Sequence, residues 1–183
     1  VYRIADRLRS EGTKVILGGF HVTALANEAL EHADSVIVGE AETIWKEVLE
    51  DFSQGNLKNK YVGQETDLAR LPVMRRDLFN KKFYHPGEII EATRGCAVGC
   101  SFCGVQKFFG KRYRGRPPEE MRKELMALFG PRPPQAKWKN WLAQHWHSDI
   151  PYFIERRLLY VMDSNFVSDF SHARAVLQVF KDC

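Results

Sequence analysis

The sequence predicts an α/β chain built from two incomplete domains. Three observations carry that prediction. Short apolar runs alternate with helical stripes over residues 1–55. A second alternation of strand and helix begins at Glu88. Between them, residues 56–87 hold little periodicity and contain Asn56, Gly63, Pro72, Pro86 and Gly87, which reads as a linker. Alternating helix and strand is the signature of a parallel, helix-covered sheet.

Element by element, Val1, Ile4 and Leu8 recur at helical spacing and Gly12 stops that helix. Val15–Leu17, bounded by Gly18 and Gly19, reads as a buried parallel strand, and Ser35–Val38 as a second. A short helix is expected over Glu28–Ala33, and a longer one over Ala41–Phe52 with Ile44, Val48, Leu49 and Phe52 as its buried stripe. After the linker, Glu88–Ala92 reads as a strand running into a cysteine-rich loop. Pro117 and Pro118 followed by Glu119 and Glu120 mark a helix start, with Met121, Leu125, Leu128 and Phe129 on its apolar face. Leu158–Met162 is a continuous apolar strand, and a helix beginning near Ser168 or Ser171 carries Ala173, Val176, Leu177 and Phe180. Residues 88–183 are thus two βα units, the start of a barrel that two units cannot close. Residues 131–157 interrupt them as an insertion holding Trp138, Trp141 and Trp146, most simply a packing surface, with a partner-binding or lid role as the alternative.

Of the 183 residues, 44% are hydrophobic, 12% aromatic and 27% charged, which excludes disordered and collagen-like chains. No apolar run is long enough to span a membrane. The chain opens at Val1 inside an amphipathic pattern with no basic leader, so we expect no signal peptide and a piece of a longer protein. The net charge of +4 is unevenly placed. Residues 24–51 hold eight acids against Lys46 alone, whereas residues 104–139 hold ten bases against Glu119, Glu120 and Glu124. One acidic lobe and one anion-binding lobe account for this, in preference to a nucleic-acid face.

The informative string runs Glu91-Ala-Thr-Arg-Gly-Cys96-Ala-Val-Gly-Cys100-Ser-Phe-Cys103. Three cysteines within eight residues are too close for an ordinary disulfide framework. They suit a metal in a reducing compartment, with the cytoplasm as the expected location. Structural zinc wants four ligands, usually as two separated pairs. A four-iron, four-sulfur cube held by three thiolates keeps one iron open. Cys183, at the far terminus, is the remaining cysteine.

This string resembles the radical S-adenosylmethionine (SAM) family. The resemblance implies that Cys96, Cys100 and Cys103 hold a [4Fe-4S] cluster whose open iron chelates SAM, and that an electron from a reductase, flavodoxin or ferredoxin splits SAM to a 5′-deoxyadenosyl radical. Phe102 matches the family's adenine-contacting position. Met162-Asp163-Ser164-Asn165-Phe166 resembles a family segment at the end of the second barrel strand, with Ser164 in place of a second Asp, so that Asp163 and Asn165 become expected SAM contacts. The implied fold is a partial (β/α)6 barrel. The basic string Lys107–Pro118 resembles segments that follow the cysteines in family members carrying a cobalamin domain.

Gly18-Gly-Phe-His21-Val-Thr23 and Gly39-Glu40-Ala-Glu42 follow the two N-terminal strands, at the edge where open α/β sheets bind ligands. With His32-Ala-Asp34 between them, these strings resemble the second half of the doubly wound, flavodoxin-like B12-binding domain of cobalamin-dependent radical SAM proteins. That implies cobalamin contacts at Gly18, Gly19, His21, Gly39 and Glu40. The Asp-x-His-x-x-Gly string that supplies a lower cobalt ligand in some cobalamin proteins does not occur here. The expected organisation is therefore a partial cobalamin-binding domain at 1–55, a linker at 56–87 and the start of a radical SAM barrel at 88–183. The expected activity is radical methylation or rearrangement of a small molecule. A non-enzymatic iron–sulfur or zinc-binding module is the alternative, and RNA association through the basic segment is a further one.

Overall fold

The computed structural model describes residues 1–79, 88–130 and 159–183. The chain divides into two compact units, the first formed by residues 1–67 with 95–112, the second by residues 68–94 with 113–183.

In the first unit, α1 (Tyr2–Ser10), β1 (Ile16–Leu17), α2 (Phe20–Ala24), α3 (Ala26–Glu31), β2 (Ser35–Val38), α4 (Trp45–Ser53) and β3 (Lys60–Val62) follow in order. The strands form one parallel sheet in the order β1-β2-β3, with Ile16 opposite Ser35 and Val36 opposite Lys60. Successive residues of a strand face opposite sides, and β2 uses both. Val36 packs with Ala5, Val22 and Ala29 from α1, α2 and α3, while Ile37 packs with Val48 of α4 and with Tyr61. The central strand is thereby covered on both faces, which is why its apolar run shows no alternation.

Three expectations are corrected here. The segment read as a linker contributes β3 to the sheet. Its Lys60 and Val62 are exposed and Tyr61 alone is buried, so no continuous apolar run announced it. The stripe of α1 is not its buried face: Val1, Ile4 and Leu8 are exposed, and the helix packs through Ala5 and Tyr2. In α4, Val48 is fully buried but Leu49 and Phe52 are about half exposed.

Gly39 and Gly63 mark where the loops after β2 and β3 meet. Gly39 has a φ of +83°, and a Cβ there would lie 2.5 Å from the Gly63 carbonyl oxygen. A Cβ on Gly63 would run into the backbone carbonyl of Glu40. Two glycines let these loops touch at the C-terminal edge of the sheet.

The second unit contains β4 (Glu88–Ile90), β5 (Thr93–Arg94), β6 (Arg114–Gly115), α6 (Pro118–Phe129), β7 (Leu159–Val161) and α7 (Phe170–Asp182), whereas α5 (Val105–Phe109) lies in the first. β4 and β7 pair in parallel, Glu88 with Leu159, and β5 and β6 pair antiparallel. Ile90 and Ala92, Met121 and Leu125 of α6, and Val176 and Val179 of α7 form one core. The two βα units expected from sequence are present as β4–α6 and β7–α7. Pro118 starts α6 and Gly130 ends it. The Asp169 carboxylate caps α7 by accepting from the Ser171 and His172 amides. The insertion at 131–157 lies outside the described residues. Among the described residues, no helix is long and apolar enough to cross a membrane.

Candidate functional site

Residues 95–112, which carry the three clustered cysteines, belong to the first unit rather than to the strand that precedes them in sequence. Gly95 opens the loop with a φ of +81°, and a Cβ there would strike the Arg112 carbonyl, so the chain reverses where only glycine fits. The Cys96 amide donates to the Gly110 carbonyl at 3.4 Å, closing the loop on itself. Gln106 Nε2 donates to the Cys96 carbonyl at 2.7 Å. The Cys103 amide reaches the Cys100 carbonyl at 3.1 Å, forming a tight turn between the last two thiols.

The loop is seated by α5. Phe108 stacks on Phe20 with ring centroids 4.0 Å apart and planes at 15°, and Phe109 meets Phe20 edge-on at 5.4 Å. Arg112 adds an ion pair with Glu65 at 3.0 Å. Sequence reading did not single out Phe20, Phe108, Phe109 or Glu65. Phe20 lay inside a quoted motif, but only as a spacer between glycines and a histidine.

None of the four cysteines is in a disulfide; Cys100 and Cys103 are exposed and Cys96 is half-buried. Three thiolates on one turn-rich loop are a donor set suited in type to iron–sulfur binding. Among the described residues, however, no three His, Cys, Asp or Glu side chains are gathered into a metal cage. Phe102 is 91% exposed between Cys100 and Cys103. Cys183 is in the second unit, packed against the core of α6 and α7, with Arg122 Nη1 3.7 Å from its sulfur.

Asp163 and Asn165 are also in the second unit, just past β7. Asp163 Oδ1 accepts from the Ala92 amide at 2.8 Å and the Thr93 amide at 3.1 Å, tying the end of β7 to the chain leaving β4. Its Oδ2 is buried without a well-formed hydrogen bond. Burial raises the Asp163 carboxyl above its ordinary value, outweighing the amides of Ala92 and Thr93 that pull it down. Asn165 precedes the short 3₁₀ turn Phe166–Ser168, and its carbonyl accepts from Ser168.

The five expected cobalamin contacts share the C-terminal edge of the parallel sheet. Gly18 follows β1, and a Cβ there would lie 3.7 Å from the Ile37 carbonyl oxygen of β2. Gly19 has a φ of +98° and open space around it. The Gly39 amide donates to Thr23 Oγ1 at 3.0 Å, joining α2 to the end of β2. Two side chains are otherwise engaged. His21 Nε2 lies 3.0 Å from the Tyr2 hydroxyl and 3.1 Å from Glu28. The His21 hydrogen bond, ahead of that from Tyr2, holds the Glu28 carboxyl below its ordinary value. Glu40 is buried and its Oε2 accepts from the Thr66 amide at 3.0 Å. The edge presents the backbone of two glycines after β1 and one after β2, beside the half-exposed ring of Phe20.

Over 131 residues the chain is 34% identical to a bacteriochlorophyllide d C-8(2)-methyltransferase of Chlorobaculum tepidum, covering 68% of this chain and 29% of the relative. It is 37% identical over 133 residues to a bacteriochlorophyllide d C-12(1)-methyltransferase of the same organism, covering 69% and 29%. A hopanoid C-3 methylase of Methylococcus capsulatus is 28% identical over 136 residues, covering 63% and 26%. By name, these relatives are methyltransferases. The chain spans under a third of the length of these curated relatives. No family model matches the chain. No solved structure matches it.

Proposed function

We propose that this chain is part of a cobalamin-dependent radical SAM methyltransferase, comprising the second half of the corrin-binding domain and the first βα units of the catalytic barrel. The observation that carries the proposal is the Cys-x3-Cys-x2-Cys loop, which follows the parallel-paired β4 by way of the short antiparallel β5, in a chain whose relatives are named as methyltransferases. Cys96, Cys100 and Cys103 are the residues that would hold the cluster. Held there, a reduced cluster would supply the one-electron reduction that splits SAM into methionine and a 5′-deoxyadenosyl radical. Phe102, exposed within the loop, is the residue that would meet the adenine, and Asp163 and Asn165, just past β7, are the polar groups that would contact SAM. Backbone at Gly18, Gly19 and Gly39 allows close approach of a large ring, with His21 and Glu40 bracing that edge. A small-molecule substrate and a cytoplasmic one-electron donor complete the reading.

Anaerobic reconstitution with iron and sulfide, followed by EPR of the reduced chain with and without SAM, tests it. A cluster signal that shifts with SAM is expected, lost when Cys96, Cys100 or Cys103 is replaced by Ala. Stoichiometric zinc with no cluster, or a triple variant that keeps its iron, would overturn the reading.

A further inference from the structure

We infer that Phe20 is a positioning residue that pins the cysteine loop to the corrin-facing edge of the α/β sheet, so that the two cofactor sites stay at one fixed separation. The inference rests on the proposed function for what the two sites hold, and on geometry for the pin itself.

Phe20 begins α2 immediately after Gly18 and Gly19, at the sheet edge. Its ring is half exposed, yet it receives Phe108 face-on and Phe109 edge-on, and those two rings meet each other at 4.7 Å and 84°. The three rings form an aromatic cluster with two members on the cysteine side and one on the sheet side.

α5 is five residues long, contributes no fully buried residue and has no capping side chain. A helix that short does not persist on its own hydrogen bonds. The Arg112–Glu65 pair has side chains 70% and 40% exposed, and exposed ion pairs contribute little. The aromatic cluster anchors α5, and through the Gln106–Cys96 and Cys96–Gly110 hydrogen bonds it steadies the first cysteine. Two cofactors serving one substrate require a fixed mutual distance, because a displacement of about 1 Å is enough to lower turnover steeply.

Limited trypsin digestion of the 183-residue chain tests the pin. Cleavage after Lys107, Lys111 and Arg112 should accelerate about fivefold in Phe20→Ala, the effect of losing an aromatic pair from a locally opening segment. Cleavage after Arg122 and Lys123 should be unchanged, and Phe20→Trp should restore protection. If Phe20→Ala does not fold, Phe20→Leu, which keeps apolar volume and loses the ring, carries the same comparison. Unchanged cleavage in the loop, or equal acceleration at Arg122 and Lys123, overturns the pin.

The positioning role is read separately, by pulsed EPR on the reconstituted chain loaded with cob(II)alamin. The wild type and Phe20→Trp should give one narrow cobalt–cluster distance, and Phe20→Ala a broadened one. Identical distributions in all three overturn the role. A wild-type chain that takes up neither cluster nor cob(II)alamin would sink the functional proposal, and with it the positioning role, while the digestion still decides the pin.

Discussion

Arg76 Nη2 lies 2.6 Å from Glu124 Oε1, with side chains only 9% and 3% exposed. Arg116 holds the other carboxylate oxygen through Nη1, and Arg76 also donates to the Ile89 carbonyl at 2.6 Å. One buried carboxylate is therefore shared by two guanidiniums, one from the stretch between the two strand-and-helix sets and one from the basic segment. Arg76 Nη1 and Arg116 Nε and Nη2 are buried without a hydrogen-bond partner, so the site carries more donors than Glu124 can satisfy. Removing Glu124 strips Arg116 of this carboxylate and leaves Arg76 with Glu88, 3.6 Å from its Nε.

Glu124→Ala should accordingly cost the second unit about 3–5 kcal/mol, the range for breaking a buried ion pair from one side. Urea unfolding followed by circular dichroism measures it. A loss below 1 kcal/mol would mean that the arginines find water, and that the pairing is peripheral to stability.

Asp163 supplies a pH signature. Its carboxyl is raised above the ordinary 3.8, so the folded state holds its proton to higher pH than the unfolded state does. Stability should fall as pH rises from 3.8 through the raised folded value, with a slope of at most about 1.4 kcal/mol per pH unit. Asp163→Asn keeps an oxygen for the Ala92 and Thr93 amides and should flatten that slope. Asp163→Ala should cost about 1–3 kcal/mol at every pH, since two buried amides lose their acceptor. Urea midpoints of the three proteins between pH 4 and 7 separate the charge from the clamp.

Tyr113 is pushed up to about 12, first by burial and then by the carboxylates of Asp169 and Asp163. Its hydroxyl is 2.8 Å from His172 Nδ1, and His172 Nε2 is 2.7 Å from the Arg116 carbonyl. A carbonyl only accepts, so Nε2 carries the proton and Nδ1 receives the Tyr113 hydroxyl. Ultraviolet titration should show a phenol step near pH 12 that Tyr113→Phe removes, with a stability loss of about 1 kcal/mol. Because the folded value is raised, the wild type should lose stability between pH 10 and about 12. Persistence of the step in the variant would assign it elsewhere.

Cys183→Ala should leave iron content unchanged after reconstitution and cost about 1 kcal/mol in stability, because that sulfur packs against the α6–α7 core. Loss of iron in this variant would make Cys183 a fourth ligand and close the site to SAM.

Legibility in the sequence tracked how local each signal was. Ser35–Val38 was readable because a strand covered on both faces is apolar throughout, and α6 because prolines, acids and a glycine bracket it. β3 was not, since an edge strand with one buried residue in three looks like loop. The cysteine spacing was legible as chemistry, but the seat of the loop was not. Phe20 and Phe108 are 88 positions apart, and no periodicity joins them. Arg76 and Glu124 were opaque for the same reason: a buried ion pair leaves no pattern in either neighbourhood. Asp163 and Glu40 were picked out as polar groups at strand ends, and their hydrogen bonds to backbone amides emerge only once the strands are placed.

The membership of residues 95–112 in the first unit bears on how such chains are recombined. A chimera cut between the two sets of strands and helices would inherit its cysteines with Phe108 and Phe109 from one parent and Phe20 from the other. Exchanges that respect the physical grouping have to carry Phe20, Glu65 and the Phe108-Phe109 pair together, although they come from two separate stretches of the gene.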